Sequence, residues 1–371
     1  MTPMAEDPIS RRGFLATLAT TGAAVAAQET PLARLSGPPV APAGQPSEPR
    51  IPAQPVKIVC TEALTPAEAE QIRSASKNLE LHVLAGAKES KHLAEAEVIL
   101  GSVGTSTLRL AKNLKWVQGW GAGVEHMPKE LVEHPCVVTN QQRIFAPVIA
   151  ETAIGLLLSL TRGLAQVSIP AFRERKYAAV ADDFPLDDLY GKTIGIVGMG
   201  GIGSETARRL HHGFGMRVLA TDAKPMPKPD FVAELHDPAW LMEMVPQVDV
   251  LMSAAPLTKE TRGMFNEQVF NRMKPTAYFL NVSRGGLVDQ EALVKALKEK
   301  RFRGAGLDVV TPEPLPPDST LWSCPNLVLT PHNSGHAPIR QVRLMTLVTE
   351  NVRRYCQGLP LLNVVDKAKG Y

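Results

Sequence analysis

From about residue 56 onward the chain alternates short apolar runs with polar, helix-like stretches. "VKIVC", "LELHVLA", "AEVILGS", "KWVQGWGAG" and "CVVTN" are separated by segments such as "TPAEAEQIRSA", "STLRLAKN" and "MPKELVEH". That alternation predicts βαβ units and a largely parallel sheet. A long apolar helix, "APVIAETAIGLLLSLTRGL", follows, and Glu151, Thr152 and Ser159 interrupt it, so it is expected to belong to a folded body and not to a bilayer. From Gly191 a second series begins, with strands "KTIGIVG", "MRVLATD", "VDVLMSAA", "AYFLNVS", "GAGLDVV" and "NLVLTPH". Six such strands are what a doubly wound α/β fold uses. The last stretch, "APIRQVRLMTLVTENVRRYCQG", is amphipathic and has no sheet of its own to cover, so it should return to the first series. The pattern therefore predicts an α/β protein of two doubly wound domains, one over 56–150 with 336–371 returning to it, the other over 151–335.

The turn after "KTIGIVG" reads Gly198-x-Gly200-x-x-Gly203, directly after an apolar strand and directly before the helical "GSETARRL". Glycines in that context give a tight turn, backbone room for a pyrophosphate and close packing of helix on strand. The helix N-terminus then offers amide donors and a positive dipole end to the diphosphate. Asp222, nineteen residues beyond Gly203, closes "RVLATD". A carboxylate there accepts hydrogen bonds from ribose hydroxyls and repels the extra phosphate of NADP, so NAD is expected over NADP. Lys224, two residues on, partly offsets that repulsion.

Three polar residues fall where later strands of this series end: Arg284 after "YFLNVS", Glu313 in a Pro-rich loop after "GLDVV", and His332 in "LVLTPH". Ligands of open α/β sheets bind outside the carboxyl ends of the strands, so the three are expected in one crevice. A guanidinium there can clamp a carboxylate and polarise the adjacent oxygen. An imidazole can exchange the hydroxyl proton, and a carboxylate beside it orients the ring. His332-x-x-x-His336 has no Cys pair or acidic cluster beside it, so no metal is expected. His211 and His212, at a helix end, are expected to face solvent.

Charge and cysteine content add mild bounds. A net charge of +3 is modest, and "KALKEKRFR" reads as a solvated helix end, so nucleic acid is not an expected partner. Four cysteines, Cys60, Cys136, Cys324 and Cys356, are too widely spaced for a metal pattern, and one disulfide is permitted but not required. The N-terminus is more specific. "SRRGFLATLATTGAAVAA" joins twin arginines to a weakly apolar stretch and small residues, the grammar of a Tat export signal over residues 1–27. Residues 28–55, rich in Pro and Ala, read as a linker. The apolar run from Phe14 to Ala27 is shorter than the roughly 20 residues a span needs, so no stable membrane anchor is expected. A periplasmic location follows; a chance Arg-Arg in a cytoplasmic protein is the alternative.

The stretches "GKTIGIVGMGGIG", "PLTKETRGMFN", "NVSRGGLVDQEAL", "GAGLDVVTPEPLP" and "LVLTPH", in this order, resemble the D-isomer-specific 2-hydroxyacid dehydrogenase family, whose members include glyoxylate/hydroxypyruvate reductases and phosphoglycerate dehydrogenase. The resemblance runs from about Val56 to the C-terminus. It implies a Rossmann NAD-binding domain inserted into a flavodoxin-like substrate domain, a homodimer, and interconversion of a small 2-oxo acid and a D-2-hydroxy acid. Carried over residue by residue, Arg284 binds substrate, Glu313 pairs with His332, and His332 is the acid/base. The loop Gly121, Ala122, Gly123 and Val124 would offer amides to the substrate carboxylate. Cofactor contacts would come from Gly198, Gly200, Gly201, Ile202, Gly203 and Asp222, from Pro256 and Thr261, from Val282 and Ser283, and from Asp308 near the nicotinamide.

Trp120, Glu125, Asn333 and His336 depart from the family pattern around the site and leave the choice of acid open. An export signal is also atypical for the family. The Tat route moves folded proteins, so NAD could be loaded before transport, held tightly and regenerated in place. A rival expectation is an NAD-sensing, corepressor-like relative that keeps the three polar residues without physiological turnover.

Overall fold

The computed structural model describes residues 54–84, 90–177 and 186–371. The expected export signal lies outside the described residues, as does the expected linker up to residue 53.

Five strands build the first sheet: β1 (Val56–Cys60), β2 (Leu79–Val83), β3 (Val98–Leu100), β4 (Trp116–Gln118) and β5 (Val137–Thr139). They lie in the order β2-β1-β3-β4-β5, all parallel, which is the flavodoxin-like order. Each coincides with an apolar run of the sequence. Helix α1 (Pro66–Arg73) starts where Thr65 and Glu68 bond each other's backbone N–H, with Pro66 in the first turn.

The second sheet holds β6 (Thr193–Val197), β7 (Arg217–Thr221), β8 (Glu234–His236), β9 (Val250–Ser253), β10 (Tyr278–Asn281), β11 (Gly304–Leu307) and β12 (Leu327–Leu329). Its order is β12-β11-β10-β9-β6-β7-β8, again all parallel, a Rossmann arrangement with a seventh strand. A parallel sheet is covered on both faces, and β9, β10 and β11 are accordingly buried at every position. Strand β8, which the sequence does not announce, gives no apolar run: Glu234 and Leu235 are half-buried, His236 is exposed, and Glu234 pairs with Arg217 at 2.6 Å. Charge on such an edge discourages pairing with another chain.

Helix α2 (Ala146–Thr161) packs Ala153, Leu156, Leu157 and Leu160 beneath the second sheet. The sequence predicts it to Leu164, but it ends at Thr161, and Gly163 turns into the left-handed region with φ 62°. Helix α3 (Gly201–Phe214) leaves the glycine loop and packs on α2. Helix α4 (Gln290–Lys298) ends the basic run early: Lys295 pairs with Glu267, while Phe302 turns inward and is buried. Helix α5 (Ile339–Cys356) sets Leu344, Met345, Val348 and Val352 against Val56, Ile58 and Trp116 of the first sheet. Val364 then forms an antiparallel bridge with Thr139.

One smaller expectation changes. His211 is half-buried, with Nδ1 3.1 Å from the Met216 carbonyl, and only His212 is exposed. All four cysteines are free, and Cys60, Cys136 and Cys356 are buried. Among the described residues no single helix is long and apolar enough to cross a membrane.

Asp249, just before β9, ties the second sheet together at its amino end. One carboxylate oxygen accepts from the Thr193 N–H at 2.9 Å and the other from Lys274 Nζ at 2.9 Å. Burial pushes its carboxyl up, but the bonds from Thr193 and Lys274 and the charges of Lys274 and Lys192 more than offset that and hold it below the ordinary value. A depressed carboxyl stabilises the fold above its unfolded value of about 4, and the contribution is lost as pH falls through the folded value. Asp249→Ala should therefore cost about 2 kcal/mol at neutral pH in urea denaturation. The gap from the wild type should narrow below about pH 4; a gap that persists there would contradict the linkage.

Candidate active site

Because the second sheet is parallel throughout, its strands release their chains at one edge. There β6 gives way to Gly198, β7 to Asp222, β9 to the Pro256 and Thr261 turn, and β10 to Val282, Ser283 and Arg284. Next along the sheet, β11 leads to Asp308 and Glu313, and β12 to His332. The strand order reverses between β9 and β6, the place where such sheets bind dinucleotides.

The glycine loop is closed inward and open outward. Gly198 has φ 98°, and a Cβ there would lie 2.8 Å from the Ala254 backbone; a Cβ on Gly203 would lie 2.0 Å from the Gly198 carbonyl oxygen. Only glycine lets α3 sit that close to its strand. A Cβ on Gly200, by contrast, would meet nothing within 4 Å. The open side faces the N-terminus of α3, so these residues fit a dinucleotide diphosphate. Ile202 packs against the core beneath this sheet.

Asp222 is held by the loop it serves: its oxygens accept from the N–H groups of Met199 and Lys224, each at 2.7 Å. Lys224 Nζ sits 4.3 Å from the centre of the Tyr371 ring. Burial pulls this lysine below its ordinary value, against the raising influence of Asp222 and Asp366. Thr261 Oγ1 donates to the Pro256 carbonyl at 2.7 Å. Val282 and Ser283 are buried, and the Ser283 hydroxyl bonds to Ser253 at 2.9 Å.

Neighbouring strand ends bring Glu313 and His332 together, with Glu313 Oε2 2.6 Å from His332 Nδ1. The other Glu313 oxygen accepts from the Val310 N–H at 3.0 Å, so the carboxylate is fixed at both ends. His332 Nε2 is the ring nitrogen left over, on a side chain 46% exposed. Its backbone lies in the left-handed region, with φ 50°. Such a conformation is costly for a residue other than glycine and persists only where the surroundings impose it. Asp308 imposes it here: its carbonyl accepts from the His332 N–H, and its carboxylate accepts from Thr330 Oγ1 at 2.6 Å, Asn333 N at 3.1 Å and Ser334 N at 3.2 Å. Asp308 is 1% exposed, so its carboxylate lies under the His332 loop as the centre around which that loop is organised.

Arg284 reaches across to the first sheet. Its Nε donates to Glu125 Oε1 at 2.5 Å, and its Nη1 donates to the Ser283 carbonyl at 2.8 Å. Glu125 closes the loop after β4 that contains Gly121, Ala122, Gly123 and Val124. A Cβ on Gly123 would lie 2.2 Å from Arg284 Nη2, so glycine makes room for the pair. Gly121 is open to at least 4 Å, the Ala122 carbonyl accepts from Asn140 at 2.7 Å, and Val124 packs against the first core. Trp120 packs into the other core of that sheet, the one that holds Ile58, Trp116 and Val348.

The sequence shows Glu125 as a departure in a glycine loop, but its partner lies 159 residues away and cannot be read from the string. Arg143 gives no signal at all in "NQQRIF". It adopts φ 71° and lays its side chain against Gly201, with no ion pair among the described residues; burial alone draws it below the ordinary arginine value.

The description "D-isomer specific 2-hydroxyacid dehydrogenase, NAD binding domain" matches residues 154–334. The glyoxylate reductase of Korarchaeum cryptofilum is 34% identical over 278 residues, covering 74% of this chain and 82% of that one. That of Thermococcus gammatolerans is 39% identical over 264 residues, covering 69% and 78%. A solved D-isomer specific 2-hydroxyacid dehydrogenase from Xanthobacter autotrophicus Py2, in complex with NADPH and MES, is similar with a TM-score of 0.71 at 27% identity, over 86% of this chain and 100% of that one.

Proposed function

Since this chain belongs to the D-isomer-specific 2-hydroxyacid dehydrogenase family and is an oxidoreductase acting on CH–OH donors, we propose that it uses NAD to interconvert a small 2-oxo acid and the matching D-2-hydroxy acid. The observation that carries the reading is the Glu313–His332 contact of 2.6 Å, one strand end away from Arg284. Two of the relatives are glyoxylate reductases, so glyoxylate is the first acid to test.

When bound, the nicotinamide supplies the hydride. His332 Nε2 gives a proton to the oxo oxygen in reduction and takes it back in oxidation. Glu313 keeps the ring turned by holding Nδ1. Arg284 polarises the oxo group and binds the adjacent carboxylate, with amides of the Gly121 to Val124 loop beside it.

Asp222 favours NAD, because a carboxylate at the ribose repels a second phosphate; Lys224 and Arg143 temper that preference. The Xanthobacter protein holds NADPH, which makes the pair of cofactors worth measuring side by side. The twin-arginine motif supports Tat export to the periplasm, and we carry a homodimer as the expected assembly. An exported enzyme has no evident NAD supply, so the cofactor would be loaded before transport, retained, and recycled between two acids.

His332→Asn and Arg284→Ala should each lower 2-oxo acid reduction by at least about a hundredfold with the circular dichroism spectrum unchanged. Near wild-type turnover in either variant would overturn these roles. For retention, protein purified from its native compartment and then denatured should release about one NAD per chain. A substoichiometric yield with strict dependence on added NADH would overturn it.

A further inference from the structure

Within the site, the guanidinium assigned to the substrate carboxylate is already engaged by another carboxylate. Arg284 Nε donates to Glu125 Oε1 at 2.5 Å, and Nη1 is turned to the Ser283 carbonyl. The point where a Gly123 Cβ would stand lies 2.2 Å from Arg284 Nη2, 2.5 Å from Glu125 Oε2 and 2.9 Å from Glu125 Oε1. Those three atoms border one spot, so the carboxylate that holds Nε also stands near Nη2, and these are two nitrogens that a planar fork offers together for bidentate binding.

Glu125 carries its charge there. Burial pushes its carboxyl up, but the hydrogen bond from Arg284, a backbone bond and the charges of Arg284 and His126 more than offset it and hold it below the ordinary glutamate value. Both side chains are largely shielded, at 32% and 21% exposure, so solvent screens the pair only in part. Arg284 is the ion-pair partner of Glu125 among the described residues.

We propose that Glu125 is a specificity-determining residue that shares Arg284 with the substrate and sets the enzyme against 2-oxo acids bearing a second carboxylate. The proposal rests on Arg284 being the substrate clamp. A monocarboxylic oxo acid binds either at the Nη1/Nη2 end, leaving Glu125 on Nε, or at the Nε/Nη2 edge, displacing Glu125 from Nε. In both arrangements one guanidinium serves two carboxylates. A second substrate carboxylate adds another negative charge beside Glu125, and like charges a few ångströms apart in a partly dried site repel strongly. Small or neutral far ends carry no such penalty.

The test compares kcat/KM for glyoxylate with kcat/KM for oxaloacetate in the wild type, Glu125→Gln and Glu125→Asp. Both acids need Arg284, so any shift of that side chain acts on both and cancels in the ratio. In Glu125→Gln the preference for glyoxylate should fall by at least about tenfold, chiefly through a lower KM for oxaloacetate, whereas Glu125→Asp should keep most of it. Turnover of both acids with an unchanged or larger preference in Glu125→Gln would overturn the proposal alone. Turnover of neither acid by the wild type would overturn the reading of the site on which it stands, and the proposal with it.

Discussion

Parallel pairing holds Leu280 of β10 between Met252 of β9 and Gly306 of β11, and Ile196 of β6 beside Met252. Every loop that leaves the carboxyl end of these strands therefore emerges at one edge. A slip of one residue in any pairing would turn its buried side chains to the wrong face and carry its loop away from the others. The cores on both faces prevent that slip: Leu251 and Phe279 pack to one side, Met252 and Leu280 to the other. Loops as distant in sequence as those that carry Asp222 and His332 leave the same edge of the sheet because this register is fixed.

Two further devices turn a row of strand ends into a site. Asp308 gathers the loop after β12 onto its buried carboxylate and holds His332 in a backbone conformation it would otherwise avoid, so the ring meets Glu313. Arg284 binds the loop after β4 through Glu125, which joins the second sheet to the first at the place proposed for substrate. Helix α5 packs on the first sheet. Positioning in this molecule is thus done largely by carboxylates, each satisfied by donors from a different strand end.

Legibility in the sequence followed the range of the forces involved. Buried parallel strands must be largely apolar, so β6, β9, β10 and β11 announce themselves, and the glycine at 203 is dictated by a contact within its own turn, although the one at 198 also answers to the Ala254 backbone of a distant strand end. Strand β8 is a polar edge and leaves no such trace. Arg284, Glu313 and His332 stand out by type and by their place after strands, and the pairing of the last two is implied by the family resemblance, but their other partners do not stand out. Glu125, Arg143 and the donors to Asp308 are tertiary facts, set by which loops the register brings together. The inward turn of Phe302 is of the same kind, because the core decides it against the charge of its neighbours.

Turnover of a 2-oxo acid, as opposed to mere sensing of a nucleotide, separates the proposed enzyme from its rival. Hydroxypyruvate offered with NADH to the purified chain distinguishes the two, with NADH consumption and the chirality of the product followed together. One NADH should be oxidised for each D-glycerate formed. Stoichiometric binding of NADH with no glycerate, or formation of the L-isomer, would rule the proposed chemistry out.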